Sequence, residues 1–240
     1  MLGDNSMILA HRLSELCGHG PTLETDIALT NISLDLFGQV RSYFQYAAKI
    51  AGGESNEDKI AFLRYESQYR NVLLVEQANE DLAHVFVRQF LYDAYHKLLL
   101  EELKNSADQS IQAIAVKSLK EVDYHLRFSS QWMKRLGDGT EESHLKMQAA
   151  LNHLYPYVDE FFRITDTEKQ MLDEGIGADL KKMKSSYFKN IHAVIEEARL
   201  QVPETKPRQA EGKYGRHSEQ LGYILSDFQY MQRTYPDMVW

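Results

Sequence analysis

Cysteine is almost missing from this sequence. The single Cys17 excludes an internal disulfide and any cysteine-held zinc or iron–sulfur site. A lone free thiol in a chain of 240 residues fits a reducing compartment. Proline (5) and glycine (13) are scarce, so long uninterrupted helices can form. No run approaches the ~18 apolar residues of a membrane span. The start, MLGDNSMILAHRL, lacks a basic stretch followed by an apolar core. These absences lead to the expectation of a cytoplasmic protein with no membrane association. Basic residues are outnumbered, 27 Lys and Arg against 35 Asp and Glu, for a net charge of −8. That balance argues against a nucleic-acid partner, which needs clustered cations, and otherwise serves solubility.

What is present is helical periodicity. Hydrophobic residues make up 43%, enough for a core. A short amphipathic helix is expected over 5–15, stopped by Cys-Gly-His-Gly-Pro. Thr22 then caps a helix running to about Ala51, with Glu24 and Asp26 in its first turn, where negative charge suits the helix dipole. Further helices are expected over 59–77, 81–104 and 109–137, the last capped by Asp108. Another starts at Thr140 and is kinked at Pro156. A looser connection follows over 165–177, then helices over 179–200 and 217–235. Gln201–Gly215, with two prolines, two glycines and Lys206, Arg208 and Lys213, reads as an extended segment. No stretch has a strand pattern. The expected architecture is all-α: one domain over 1–240, a four-helix bundle over about 22–137 with additional C-terminal helices over about 140–240.

The helix over 111–132 carries Ile111, Ile114, Ser118, Glu121, His125, Phe128 and Trp132 on one face. An acid and an imidazole on a buried stripe must be paired or bind a metal. Ferritin-like diiron proteins use one Glu from each of two helices and a Glu-x-x-His from each of the other two. This chain offers Asp35, Glu66-x-x-Tyr69, Asp93 and Glu121-x-x-Tyr124, with His125 one residue beyond. Two similar intervals, 31 residues from Asp35 to Glu66 and 28 from Asp93 to Glu121, suggest a duplicated helical hairpin. Both histidine positions are Tyr, a poor replacement for imidazole, and both single acids are the shorter Asp. Buried acids and tyrosines joined by hydrogen bonds are therefore expected, and no metal ligand, catalytic residue or cofactor-binding residue is assigned. Asp81-x-x-His84 and Asp93-x-x-His96 share a ligand-like spacing, but such pairs arise by chance among 35 acids and 9 His. His19, His144, His153 and His192 stand alone. Tyr43 and Tyr46 share a helix face and suit an interface.

Four stretches carry a resemblance: LCGHGPTLETDIALTNISLDLFGQVRSY (16–43), NVLLVEQANEDLAH (71–84), KEVDYHLRFSSQW (120–132) and GKYGRHSEQLGYILSDFQYMQRTYPDMVW (212–240). The last is the most specific, since neither helix formation nor burial demands it. Over nearly its whole length the chain resembles the PaaC family of subunits of the bacterial ring-1,2-phenylacetyl-CoA epoxidase, which serves phenylacetate catabolism. The resemblance implies a ferritin-like fold. It implies a structural subunit that has lost its iron ligands and pairs with the related A subunit, where the diiron centre and the acyl-CoA site reside. It also implies epoxidation of the aromatic ring with O₂, using electrons from NADPH delivered through a reductase subunit with FAD and an iron–sulfur cluster. None of these cofactors is expected on this chain, which has one cysteine and no Gly-rich phosphate loop. Partners are then the A subunit and other subunits of the complex, with self-association also open. The faces rich in Tyr and Leu over 22–104 are the candidate interface. Two other readings stay in view: a self-sufficient diiron oxygenase or ferroxidase using Asp35, Glu66, Asp93, Glu121 and His125, and a helical interaction protein with no oxygenase link.

Overall fold

The computed structural model describes residues 1–204, 206, 208, 210–236 and 238. Among them it contains helices, turns and an isolated β-bridge between Glu211 and Arg216. The chain divides into two units: Met1–Gln77 with Glu211–Trp240, and Ala78–Ala210. No helix among the described residues is long and apolar enough to cross a membrane.

The first unit opens with α1 (Leu2–Ser14) packed along α2 (Leu23–Ala51). Thr22 caps α2 as its sequence requires, its hydroxyl accepting the Thr25 amide at 3.3 Å. The expected helix over 59–77 does not form. In its place are α3 (Glu57–Phe62), a 3-10 turn at Glu66–Gln68, and α4 (Leu73–Glu76), joined by extended backbone. The cause is a set of buried charges that hold the backbone elsewhere. Asp4, 2% exposed, takes Arg64 Nη2 at 2.5 Å and the Arg70 amide at 3.0 Å. Burial would push the Asp4 carboxyl up, but the N-terminal ammonium, Arg64 and the Arg70 amide hold it well below the usual carboxylate range. Asn5 Oδ1 accepts the Val72 amide at 2.8 Å, and Arg12 donates from Nε and Nη2 to the Glu76 carbonyl.

The second unit is built around α5 (Leu82–Leu103), capped by Asp81. All of its residues from Ala83 to His96 are buried. Such a helix is a core element rather than a surface one. Against it pack α6 (Gln109–Gly137), α7 (Glu141–Leu154) and α9 (Leu180–Glu197). At Leu154, α7 stops and a 3-10 helix over Tyr155–Phe162 begins, a full change of helix type where a kink at Pro156 was expected. The connection expected over 165–177 holds α8 (Asp166–Asp173), whose Thr165 and Glu168 cap each other reciprocally. Gly137 ends α6 where a Cβ would meet the Ala198 carbonyl at 2.5 Å, so that position admits no side chain without displacement. Of the extended stretch expected over Gln201–Gly215, Thr205, Pro207 and Gln209 lie outside the described residues.

The chain then completes the first unit with a 3-10 turn at Gly212–Tyr214, α10 (Glu219–Phe228) and α11 (Tyr230–Thr234). In the C-terminal stretch over 212–240, Asp237, Val239 and Trp240 lie outside the described residues. The segment GKYGRHS has a structural explanation. Gly215 sits at φ +81°, and a Cβ there would lie 2.3 Å from the Ser67 carbonyl and from Arg70 Nη1. Beyond it, the fully buried His217 side chain places Nδ1 3.0 Å from Glu76 Oε2, and the Ser218 amide donates to Glu76 Oε1 at 2.7 Å. Burial alone would lower the His217 pKa, but the hydrogen bond and charge of Glu76 raise it. Gly215→Ala combines a strained φ with a steric clash. It is expected to destabilise the protein by about 2 kcal/mol or more, read as a lowered urea midpoint, whereas Gly38→Ala, in open space on α2, is expected to be neutral or stabilising.

Candidate functional site

The sequence-derived site residues fall in both units, and each group has its own surroundings. On α5, Gln89, Asp93 and His96 recur at four and three residues and are all buried. Asp93 is fully enclosed. Gln89 Nε2 donates to its Oδ1 at 2.6 Å and Ser129 Oγ, from α6, donates to its Oδ2 at 2.8 Å. Burial pushes the Asp93 pKa up to about 7, against the opposing charge of His125 and these two hydrogen bonds. Burial, with the charge of His125 adding to it, pushes the His96 pKa down to about 3.

The buried stripe of α6 is rotated from the one expected. It runs Ala115, Ser118, Val122, His125, Ser129, Met133 and Gly137, mostly small side chains that let α6 approach α5 closely. His125 is on it, 0% exposed, but Glu121 is only half-buried and Tyr124 is 39% exposed. The pair expected to face inward on one stripe is therefore split, with the histidine inside and the carboxylate at the edge.

In the first unit, Asp35 is half-buried on α2, and Glu66 is exposed in its 3-10 turn. Tyr69 is fully buried. Its hydroxyl donates to the Ala61 carbonyl at 2.6 Å and accepts from Gln229 Nε2 at 2.8 Å. Burial raises its pKa to about 12, although Arg64, 4.1 Å from the ring centroid, works the other way.

This donor set does not fit a diiron centre. Such a centre takes ionised carboxylates and neutral imidazoles aimed into one cavity. Here both oxygens of Asp93 are committed to Gln89 and Ser129. Tyr69 is a neutral phenol engaged on both sides of its oxygen. Glu66 and Tyr124 are turned to solvent.

One cluster was missed in the sequence. Glu80, His84 and His153 each bring a ligand atom within 4.8 Å of the others. The sequence pointed to His84 through Asp81-x-x-His84 and left His153 standing alone; Glu80 joins them only in the fold, and His153 arrives from another helix.

A chain of buried helices with polar residues along their facing stripes, and with strands absent from the described residues, is the ferritin-like class of all-α protein. The chain belongs to the family described as phenylacetic acid catabolic protein, whose model matches residues 1–240. It is similar to the C subunit of the 1,2-phenylacetyl-CoA epoxidase of Escherichia coli (strain K12). The two are 44% identical over 239 residues, covering 100% of this chain and 96% of that protein.

The Asp93 surroundings predict a pH dependence with a definite sign. A carboxyl whose pKa rises from 3.8 to about 7 on folding contributes stability that is full below the lower value and lost as pH rises through the upper one. Asp93→Asn removes that loss. It is expected to raise the melting temperature at about pH 8, by roughly 2–4 kcal/mol of stability at about 1.4 kcal/mol per pKa unit, and to change it little at about pH 4. Calorimetric scans at the two pH values check this; equal melting temperatures at the higher pH would mean that Asp93 ionises in place without cost.

Proposed function

We propose that this chain is a non-catalytic, structural subunit of a phenylacetyl-CoA ring-epoxidising monooxygenase, pairing with and supporting a diiron catalytic A subunit in aerobic phenylacetate catabolism. The membership of the epoxidase complex rests on the full-length likeness to a protein named as the C subunit of that enzyme. The non-catalytic role is supported above all by Tyr69, which takes a histidine position of the diiron pattern and is a buried phenol bonded on both sides of its oxygen, with Glu66 and Tyr124 facing solvent beside it in the pattern. The diiron centre, FAD, iron–sulfur cluster and NADPH of the reaction then belong to other subunits. What this chain supplies is a stiff wall of packed helices, which fixes the geometry of a neighbour more precisely than loops can.

The pairing face is the exposed side of α2. Leu23, Ile27 and Leu34, 71%, 50% and 61% exposed, follow helical spacing along one stripe. They replace Tyr43 as the candidate, since Tyr43 is buried at 7% exposure; Tyr46 is half-buried. Large exposed apolar side chains grouped on one helix face mark contact surfaces. The self-sufficient diiron reading needs enclosed carboxylates, whereas Glu66 is exposed and Asp35 and Glu121 are only half-buried.

Co-expression with an A-type subunit is expected to yield a stable complex, and this chain purified alone from iron-rich medium is expected to hold no diiron centre. Two irons per chain would overturn the structural role. Ile27→Asp combined with Leu34→Asp is expected to weaken the complex by about 10-fold or more while leaving the circular dichroism of the free chain unchanged. Undiminished pairing would remove α2 from the interface.

A further inference from the structure

The Glu80, His84 and His153 cluster belongs to the Ala78–Ala210 unit and includes none of the diiron-type positions. Its geometry begins with a helix cap. Asp81 Oδ1 accepts the His84 amide at 2.9 Å, fixing the first turn of α5, and the same oxygen lies 2.7 Å from His84 Nδ1. A carboxylate on Nδ1 selects the tautomer that donates there and leaves the Nε2 lone pair free to bind. That Nε2 faces Glu80 Oε2 at 3.2 Å. A lone pair and a carboxylate oxygen at that distance repel unless a positive charge sits between them.

His153 decides which positive charge it is. From the last turn of α7 it brings Nδ1 to 3.7 Å from Glu80 Oε1, and its ring meets that of His84 edge-on with centroids 5.4 Å apart. A proton on His84 serves the first contact only, and 3.7 Å is too long for a hydrogen bond at the second. A metal ion serves all three groups. Nitrogen and oxygen ligands about 2.0–2.2 Å from a tetrahedral zinc ion sit roughly 3.3–3.6 Å from one another. Glu80 presents one oxygen to each ring, Oε2 to His84 at 3.2 Å and Oε1 to His153 at 3.7 Å, and a ligand atom from each of the three residues lies within 4.8 Å of the others, close enough to be drawn onto one ion. Asp81 behind His84 is the outer carboxylate that metal-bound histidines characteristically have. His84 is almost buried, while Glu80 is 54% exposed at its side chain and His153 34%, so the remaining coordination positions open to solvent.

We propose that Glu80, His84 and His153 bind one divalent ion of the Zn²⁺ type, with Asp81 orienting His84. Two imidazoles and one carboxylate suit zinc, which late first-row affinity order places above iron and manganese at such a site. The ion ties the start of α5 to the end of α7, residues 69 positions apart in sequence. This inference does not depend on the partnership with a diiron subunit.

The test uses the full-length protein, stripped with a chelator and titrated with Zn²⁺ by calorimetry and with Co²⁺ by visible absorption. One equivalent of Zn²⁺ per chain is expected, with Co²⁺ giving the bands of a low-symmetry four- or five-coordinate ion. Glu80→Gln and His153→Gln, both at half-exposed positions, are each expected to weaken Zn²⁺ binding by about 100-fold or more. Asp81→Asn is expected to weaken it by about 10- to 100-fold. His192→Gln, at a ring bonded to Tyr155 instead, is expected to leave it unchanged. Circular dichroism of the metal-free variants confirms that they fold. No saturable binding in the wild type overturns the proposal, as does binding undiminished in either the Glu80 or the His153 variant.

Discussion

Enclosure of α5 is the constraint on which the larger unit depends. When every residue from Ala83 to His96 is buried, each polar group on that helix must be answered from within the protein. A carboxylate in that position can be neutralised by a metal, a cation or a proton. Asp93 has been given two neutral hydrogen-bond donors and a rising affinity for a proton, while His96 beside it is pushed the opposite way. The pair sets opposing demands: rising pH charges Asp93, and falling pH works against the neutral ring of His96. The small residues along the inner stripe of α6 follow from the same constraint, since a close neighbour is what seals the helix.

The smaller unit solves a related problem by ringing its buried carboxyls with donors. Asp4 and Glu76 are both buried, and both are surrounded by donors aimed at their oxygens. Such arrangements add little net stability, because desolvation consumes most of the Coulombic gain, but breaking one partner leaves a buried charge exposed to no solvent. They act here as registers. The segment over 57–77 takes the path that brings Arg64, Arg70 and Val72 to α1, and it forgoes the helix that its own composition allows.

Legibility in the sequence tracked the range of the interactions responsible. Helices α2, α5 and α6 were readable because their signals are local: Thr22 and Asp108 cap within three residues, and both do so. The broken stretch was not readable, because Tyr69 is held by Gln229, 160 residues away, and Arg64 by Asp4, 60 residues away. A periodic pattern located the inward side of α6 to within one residue's rotation, about 100°, which placed His125 correctly and Glu121 wrongly. Small residues hid the rest of the true stripe, since Ser129 looks polar but is buried with its hydroxyl on Asp93, and Ala115 and Gly137 give little apolar signal. His153 was unreadable for the same reason as Gln229: its neighbours come from elsewhere in the chain.

Glu76 and its partners also order events during synthesis. The carboxylate emerges 141 residues before His217, so at about 5–20 residues per second the ribosome leaves it without that partner for roughly 7–28 s. Over that interval the whole of the Ala78–Ala210 unit is made and free to fold. The first unit, begun first, is thus the last whose contacts can be completed.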